Sequence, residues 1–113
     1  MRRPERSDML QFSHREAGSK RMVVMGCGEL GASIATSLAE QGHTLHMLEL
    51  HPEYFDRLPP SQIESGHIVP IIGDGTLQQD QMRASVPDAD VFLALSDDDT
   101  VNALAAQMSK HLY

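Results

Sequence analysis

With 113 residues the chain has room for one domain that buries roughly two thirds of its unfolded surface. Residues 1–20 hold five Lys/Arg against three Asp/Glu and residues 21–113 hold four against thirteen, a net of −9 for the latter, which argues against nucleic-acid binding or direct contact with anionic lipid. A single cysteine, Cys27, rules out an intramolecular disulfide framework and suits a reducing cytosol, and neither a membrane-span-length apolar run nor a signal-peptide core is present.

Residues 1–20 show no sustained apolar period and read as a mobile tail or tether, with Met9, Leu10 and Phe12 able to dock transiently. From Arg21 onward, short apolar runs alternate with amphipathic stretches, the pattern of βαβ units. The first strand covers Arg21 to Met25, and the helix after it carries Leu30, Ile34 and Leu38 at helical spacing, beside Ala35 and Ala39, up to a stop at Gly42. A second strand, Thr44 to Leu50, leads to Pro52 at a first helical position and a short helix through Leu58, which Pro59-Pro60 ends. Tyr54 and Phe55 pack that helix on the sheet. The third strand is His67 to Ile72 and the next helix runs from Thr76 to Ala84. A fourth strand, Asp90 to Leu95, precedes a last helix through His111, with Ser96 and Asp99 spaced as a capping box. The expected fold is α/β, a Rossmann-like doubly wound parallel sheet of about four βα units, in a short or truncated version, occupying residues 21–113.

The segment Gly26-Cys27-Gly28-Glu29-Leu30-Gly31 is a G-x-G-x-x-G turn between a strand and a helix, and Glu49 stands at the end of the next strand. Together they form the dinucleotide-binding fingerprint. Gly26 lets the chain turn off the strand, Gly28 lets the backbone approach a pyrophosphate, and Gly31 lets the helix pack closely. The unpaired N–H groups and dipole of that helix attract phosphate. Glu49 accepts hydrogen bonds from ribose hydroxyls and repels a 2′-phosphate, and neither Leu50 nor His51 offers an arginine to hold one, so NADP is disfavoured. The strand ends fall at Gly26, Glu49, Gly73 and Ser96, and ligands of open α/β sheets bind outside such ends.

These motifs, with Gly73-Asp74-Gly75-Thr76 and Ala94-Leu95-Ser96-Asp97-Asp98-Asp99-Thr100 followed by Asn102, resemble the RCK domain, also called the TrkA N-terminal or KTN domain. The resemblance covers Arg21 to Tyr113. It implies a cytoplasmic, non-enzymatic regulatory subunit that forms homo-oligomeric rings or dimers under a membrane potassium channel or transporter, peripheral to the membrane, and gates ion flux according to NAD or NADH, with ADP or ATP as further ligands. Carried over by position, the phosphate turn is Gly26, Cys27, Gly28, Glu29, Leu30 and Gly31. The ribose side is Glu49 and Leu50, the loop after the third strand is Gly73, Asp74, Gly75 and Thr76, and the fourth strand end is Leu95, Ser96 and Asp97 with Asn102. Many ATP-responsive members carry Arg where this chain has Glu29, and a carboxylate there repels a triphosphate, which favours NAD(H) or a diphosphate. The family's lobe continues through two further strands, so the expectation is a truncated product or one that needs a partner, with its fourth strand an open edge.

Other readings are weaker on the residues themselves. A cofactor-binding fragment of an NAD-dependent oxidoreductase is the alternative, but the chain has no Tyr-x-x-x-Lys and no room for a substrate domain. A ligand-free relic of the fold is the third. Cys27 at a helix start could have a lowered thiol pKa and sense redox state, against the plainer role of a small residue filling the turn. Asp97, Asp98 and Asp99 suit helix capping better than a divalent ion, and the six histidines form no ligand set, so no metal is expected. Met22, Met25 and Met47 fill the core. Val101, Leu104, Ala105 and Met108 give the last helix an apolar stripe that packs on its own sheet rather than forming a dedicated dimer face.

Overall fold

A computed structural model describes residues 18–113. The reading of the N-terminal tail, Met9, Leu10 and Phe12 included, lies outside the described residues. Just ahead of the sheet, Ser19 Oγ donates to the Gly42 carbonyl at 3.2 Å and Lys20 N donates to His43 Nδ1 at 3.0 Å.

Four strands, β1 (Arg21–Met25), β2 (Thr44–Glu49), β3 (Ile68–Ile72) and β4 (Val91–Ala94), form one parallel sheet in the order β3-β2-β1-β4. The helices are α1 (Glu29–Glu40), α2 (Pro60–Glu64), α3 (Gln78–Arg83) and α4 (Asp99–Leu112), with 3₁₀ turns at Pro52–Arg57 and Val86–Asp88. This is the expected Rossmann-like architecture. Strand β1 lies between β2 and β4, with Met25 in register with Leu48 on one side and Ala94 on the other. A strand buried on both faces needs apolar residues at every position, and Met22, Val23, Val24 and Met25 supply them. β3 is an edge strand, which is why Pro70 is tolerated within it. Among the described residues β4 is the other edge, as expected.

One face of the sheet carries Met22, Val24, Leu45, Met47 and Ile68, covered by the alanines of α1 and by Leu58, with Tyr54, Phe55 and Ile63 at the margin. The opposite face carries Val23 and Leu48 under Ala84 and Val86, with Phe92 beside them. The sheet is therefore doubly wound.

Local detail departs from expectation at three places. Helix α1 buries Gly31, Ala32, Ala35 and Ala39, while Leu30 is 61% exposed and Ile34 and Leu38 are half-buried. Small residues let the α1 backbone lie close, and the large strand side chains fill the layer. The short helix opened by Pro52 does end ahead of Pro59-Pro60, but it is 3₁₀, and Pro60 also begins a further helix, α2, at whose first position its fixed φ costs nothing. The cap of α4 is Asp98, whose Oδ1 accepts from Thr100 N at 2.9 Å and Val101 N at 3.0 Å, and not Ser96 in a capping box with Asp99. Ser96 is held elsewhere, by Asn102. On α4, which packs on β4 as expected, Ala105 is buried and Val101 and Met108 are half-buried, while Leu104 remains 50% exposed. Gly42 does stop α1, in the left-handed conformation at φ 97°.

Candidate functional site

The chain runs β1, β2, β3 outward to one edge and then returns past β1 to β4, so strand order reverses between β1 and β4. Loops leaving the C-terminal ends of those two strands diverge and open a crevice there. A hollow of about 60 Å³ lies between Gly26, Leu48, Glu49, Gly73, Asp74, Gly75, Ser96 and Val101. A second, of about 230 Å³, shares Glu49, Leu50, Ser96 and Val101 with it and extends over Gly28, His51, Tyr54, Asp97 and Asp98. Each is below the roughly 300–1,000 Å³ of typical ligand pockets, and joined they make a shallow trough across the strand ends.

Two glycines of the turn are required by the protein itself. Gly26 has φ 107°, and a Cβ on it would stand 2.8 Å from the Leu95 carbonyl. A Cβ on Gly31 would overlap the Gly26 carbonyl oxygen, so α1 packs against the turn as well as the sheet. Gly28 is different. It is the α1 N-cap residue with an ordinary φ of −71°, and a Cβ there would meet nothing within 4 Å.

Glu49 is 8% exposed, and its carboxylate ties the two halves of the fingerprint together. Oε1 accepts from Cys27 N at 2.7 Å, while Oε2 accepts from His51 N at 3.0 Å and pairs with His51 Nδ1 at 2.9 Å. Burial by itself raises the carboxyl pKa, but the hydrogen bonds from Cys27 and His51 outweigh it and hold the group below its ordinary value. A carboxylate offers about four acceptor positions, so roughly one remains open on Oε1.

The loop after β3 is braced from within. Asp74 Oδ1 accepts from Thr76 N at 2.8 Å and Thr76 Oγ1 at 2.6 Å. Asp74 N donates to Asp80 Oδ2 at 2.8 Å, and Asp80 in turn pairs with Arg83 at 2.9 Å. At the fourth strand end Asn102 clamps Ser96: its Oδ1 accepts from Ser96 N at 2.9 Å and Ser96 Oγ at 2.6 Å, and its Nδ2 donates to the Ser96 carbonyl at 3.0 Å.

Among the positions singled out in the sequence, Gly26, Gly28, Glu49, Leu50, Gly73, Asp74, Gly75, Ser96 and Asp97 line the trough. Cys27 lies buried beneath it, Gly31 packs against the turn, and Thr76 and Asn102 brace the walls. Glu29 lines a different groove, and Leu30 points to solvent. That other groove, about 640 Å³, is an open surface along α1 that adjoins the glycine turn at Arg57, whose Nη1 donates to the Cys27 carbonyl at 3.4 Å. Sequence reasoning missed His51 and Tyr54 in the trough wall, whose rings stack at 4.8 Å, and Arg57, whose guanidinium lies 4.5 Å from the Tyr54 ring centroid. Their spacing of three residues is the legible signal, since positions i and i+3 eclipse in a 3₁₀ turn. It also missed the braces Asp80, Gln81 and Arg83.

Cys27 is fully buried, and burial first, then the Glu49 charge, push its thiol up to about 11, with Arg57 opposing. The helix start therefore does not activate it, and the redox-sensing expectation is withdrawn. Among the described residues no group of three or more His, Cys, Asp or Glu could hold a metal ion, and no helix is long and apolar enough to cross a membrane.

Sheet order and glycine turn define the class as an open, parallel α/β domain of nucleotide-binding type. Residues 22–113 match the TrkA-N domain, and the chain belongs to that family. It is 36% identical over 93 residues to the Trk system potassium uptake protein TrkA of Streptomyces coelicolor, covering 81% of this chain and 40% of that protein. The TrkA homolog of Pyrococcus abyssi is 33% identical over 91 residues, 80% of this chain and 38% of that one. The TrkA of Vibrio alginolyticus is 27% identical over 107 residues, 95% of this chain and 22% of that one. The chain thus spans less than half the length of the curated relatives it matches. In fold it is similar to the Shewanella denitrificans Kef CTD in AMP bound form, with TM-score 0.62 and 22% identity over 81% of this chain and 53% of that one. A short chain dehydrogenase/reductase family structure from Aeromonas hydrophila gives TM-score 0.59 and 17% identity over the same shares, 81% and 53%.

Proposed function

We propose that this chain is the nucleotide-sensing part of a cytoplasmic regulator of potassium transport, acting on a membrane channel or transporter as a non-enzymatic, oligomeric subunit. The observation that carries the nucleotide reading is Gly28. Nothing within 4 Å would obstruct a side chain there and its φ is ordinary, so the protein's own packing does not demand glycine. A pyrophosphate lying against the backbone does demand it. The N–H groups opening α1 then supply the donors and the favourable dipole.

In this reading Glu49 uses its remaining acceptor position for a ribose hydroxyl, and His51 yields its ring contact to a second. Leu50 and the loop Gly73–Thr76 flank the adenosine half, and Ser96 and Asp97 flank the other end. Glu29 is exposed on the first turn of α1, where a carboxylate disfavours a triphosphate. NAD or NADH, or a diphosphate such as ADP, is preferred over ATP. The potassium-transport role rests on the names of the TrkA relatives and on membership of their family. Gating requires that the ligand bind two conformations of the assembly with different affinity.

The test is parallel calorimetric titration of the chain with NADH, NAD, ADP and ATP. Saturable binding with ATP weakest is the expected result. ATP binding tightest would overturn the role of Glu29, and binding of none would overturn the nucleotide reading.

A further inference from the structure

The two walls of the trough come from separate parts of the chain: the loop Gly73–Thr76 after β3, and Ser96 of the β4–α4 connection with Val101 of the first turn of α4. One side chain joins them. Gln81 of α3 is fully buried, and its Nε2 donates both to the Gly75 carbonyl at 2.8 Å and to the Ala105 carbonyl of α4 at 3.1 Å. Its Oε1 is buried with no hydrogen-bond partner. An apolar side chain of similar length would avoid that unpaired acceptor, so packing alone gives no reason for an amide here. The orientation of the amide is fixed by chemistry, because the reverse placement would set an oxygen against two carbonyl oxygens.

Both ends of this tie are themselves tightly held. Gly75 sits so close over Met25 that a Cβ would overlap the Met25 side chain, and Asp80, next to Gln81, holds Asp74 N from the same helix. Ala105 is the one fully buried residue of α4, which packs on β4, an edge strand of the sheet.

We propose that Gln81 is a positioning residue that sets the width of the trough and transmits occupancy of the Gly73–Thr76 loop to α4. The ligand part of this inference rests on the nucleotide reading above; the mechanical tie does not.

The test uses the full chain and Gln81→Met, which keeps length and burial but donates nothing. In the unliganded state, amide hydrogen exchange in Gly75–Thr76 and in α4 around Ala105 should rise together, several-fold, with α1 unchanged. NADH and ADP should bind about tenfold more weakly, the scale of one lost positioning hydrogen bond, and α4 should no longer gain protection on their addition. That last readout would not move if Gln81 only filled space. Loosening of the loop with α4 unchanged, or unaltered affinity with α4 still responding, overturns the proposal. If the parent chain binds none of the nucleotides, the nucleotide reading fails, while the unliganded exchange still decides the tie. Should Gln81→Met not fold, the side-chain amide protons of Gln81 in the parent chain decide it: slow exchange and a shift on ADP addition support the tie, and rapid exchange overturns it.

Discussion

Glu49 and Cys27 are bonded across the first two strand ends, the carboxylate Oε1 accepting the Cys27 backbone N–H at 2.7 Å. The acid at the end of β2 therefore holds the glycine turn in shape before any ligand arrives. Its role in structure and its proposed role in binding share the same two oxygens, and this sharing governs how its variants behave.

Glu49→Ala removes a charged acceptor that serves Cys27 N and His51 N. Nucleotide affinity should fall by about 1.5–3 kcal/mol, the scale for hydrogen bonds to a charged group. Calorimetry on Glu49→Ala and on Glu49→Gln checks it. Unchanged affinity in both would displace the ribose from this position.

Acid should destabilise the chain through the same residue. The folded-state carboxyl of Glu49 titrates below its ordinary value, held there against the opposing effect of burial by Cys27 and His51. Asp80 is likewise lowered, by Asp74 N and Arg83. A group whose pKa is depressed on folding contributes stability above its unfolded pKa and loses it as pH falls through the folded value. Urea midpoints measured from pH 7 down to pH 3 should therefore decline below the unfolded carboxylate range, and less steeply in Glu49→Gln than in the parent.

The glycines should separate by what demands them. In Gly31→Ala the new methyl group meets the backbone oxygen of Gly26, which cannot move without disturbing the turn, so a loss on the order of 3 kcal/mol is expected. Gly28→Ala faces open space and should cost less than about 1 kcal/mol in stability while sharply weakening nucleotide binding. Urea denaturation and calorimetry on both variants separate the effects; equal stability losses would remove the argument from Gly28.

Cys27 should be unreactive while the chain is folded. Buried, with its thiol pushed up to about 11, it has almost no thiolate near neutral pH. Labelling by a soluble disulfide reagent at pH 7.5 should be slow and should accelerate in step with urea unfolding. Rapid labelling of the native protein would restore a redox role.

Periodicity and glycine spacing made much of this molecule legible. Alternating runs fixed four parallel strands and their ends at Gly26, Glu49, Gly73 and Ser96, because a doubly buried strand must be apolar throughout and a strand-to-helix turn of this kind needs glycine. Where the reading went astray, the deciding fact was contact. Leu30, Ile34 and Leu38 have helical spacing, yet the fully buried positions of α1 are Gly31 and the alanines, with Leu38 at the margin of the core, because α1 approaches closely at Gly31. Ser96 and Asp99 have capping spacing, yet Asp98 caps and Ser96 belongs to Asn102.

Sequence alone determined the fold class and the family, since these depend on local pattern and on residues whose backbone chemistry has few substitutes. Only the tertiary structure decided which polar groups meet: Glu49 with Cys27 and His51, Asp80 with Asp74, and Gln81 with Gly75 and Ala105. Such pairings join residues far apart in the chain or on adjoining elements. Their partners are set by how helices dock on the sheet, which no spacing in the sequence encodes.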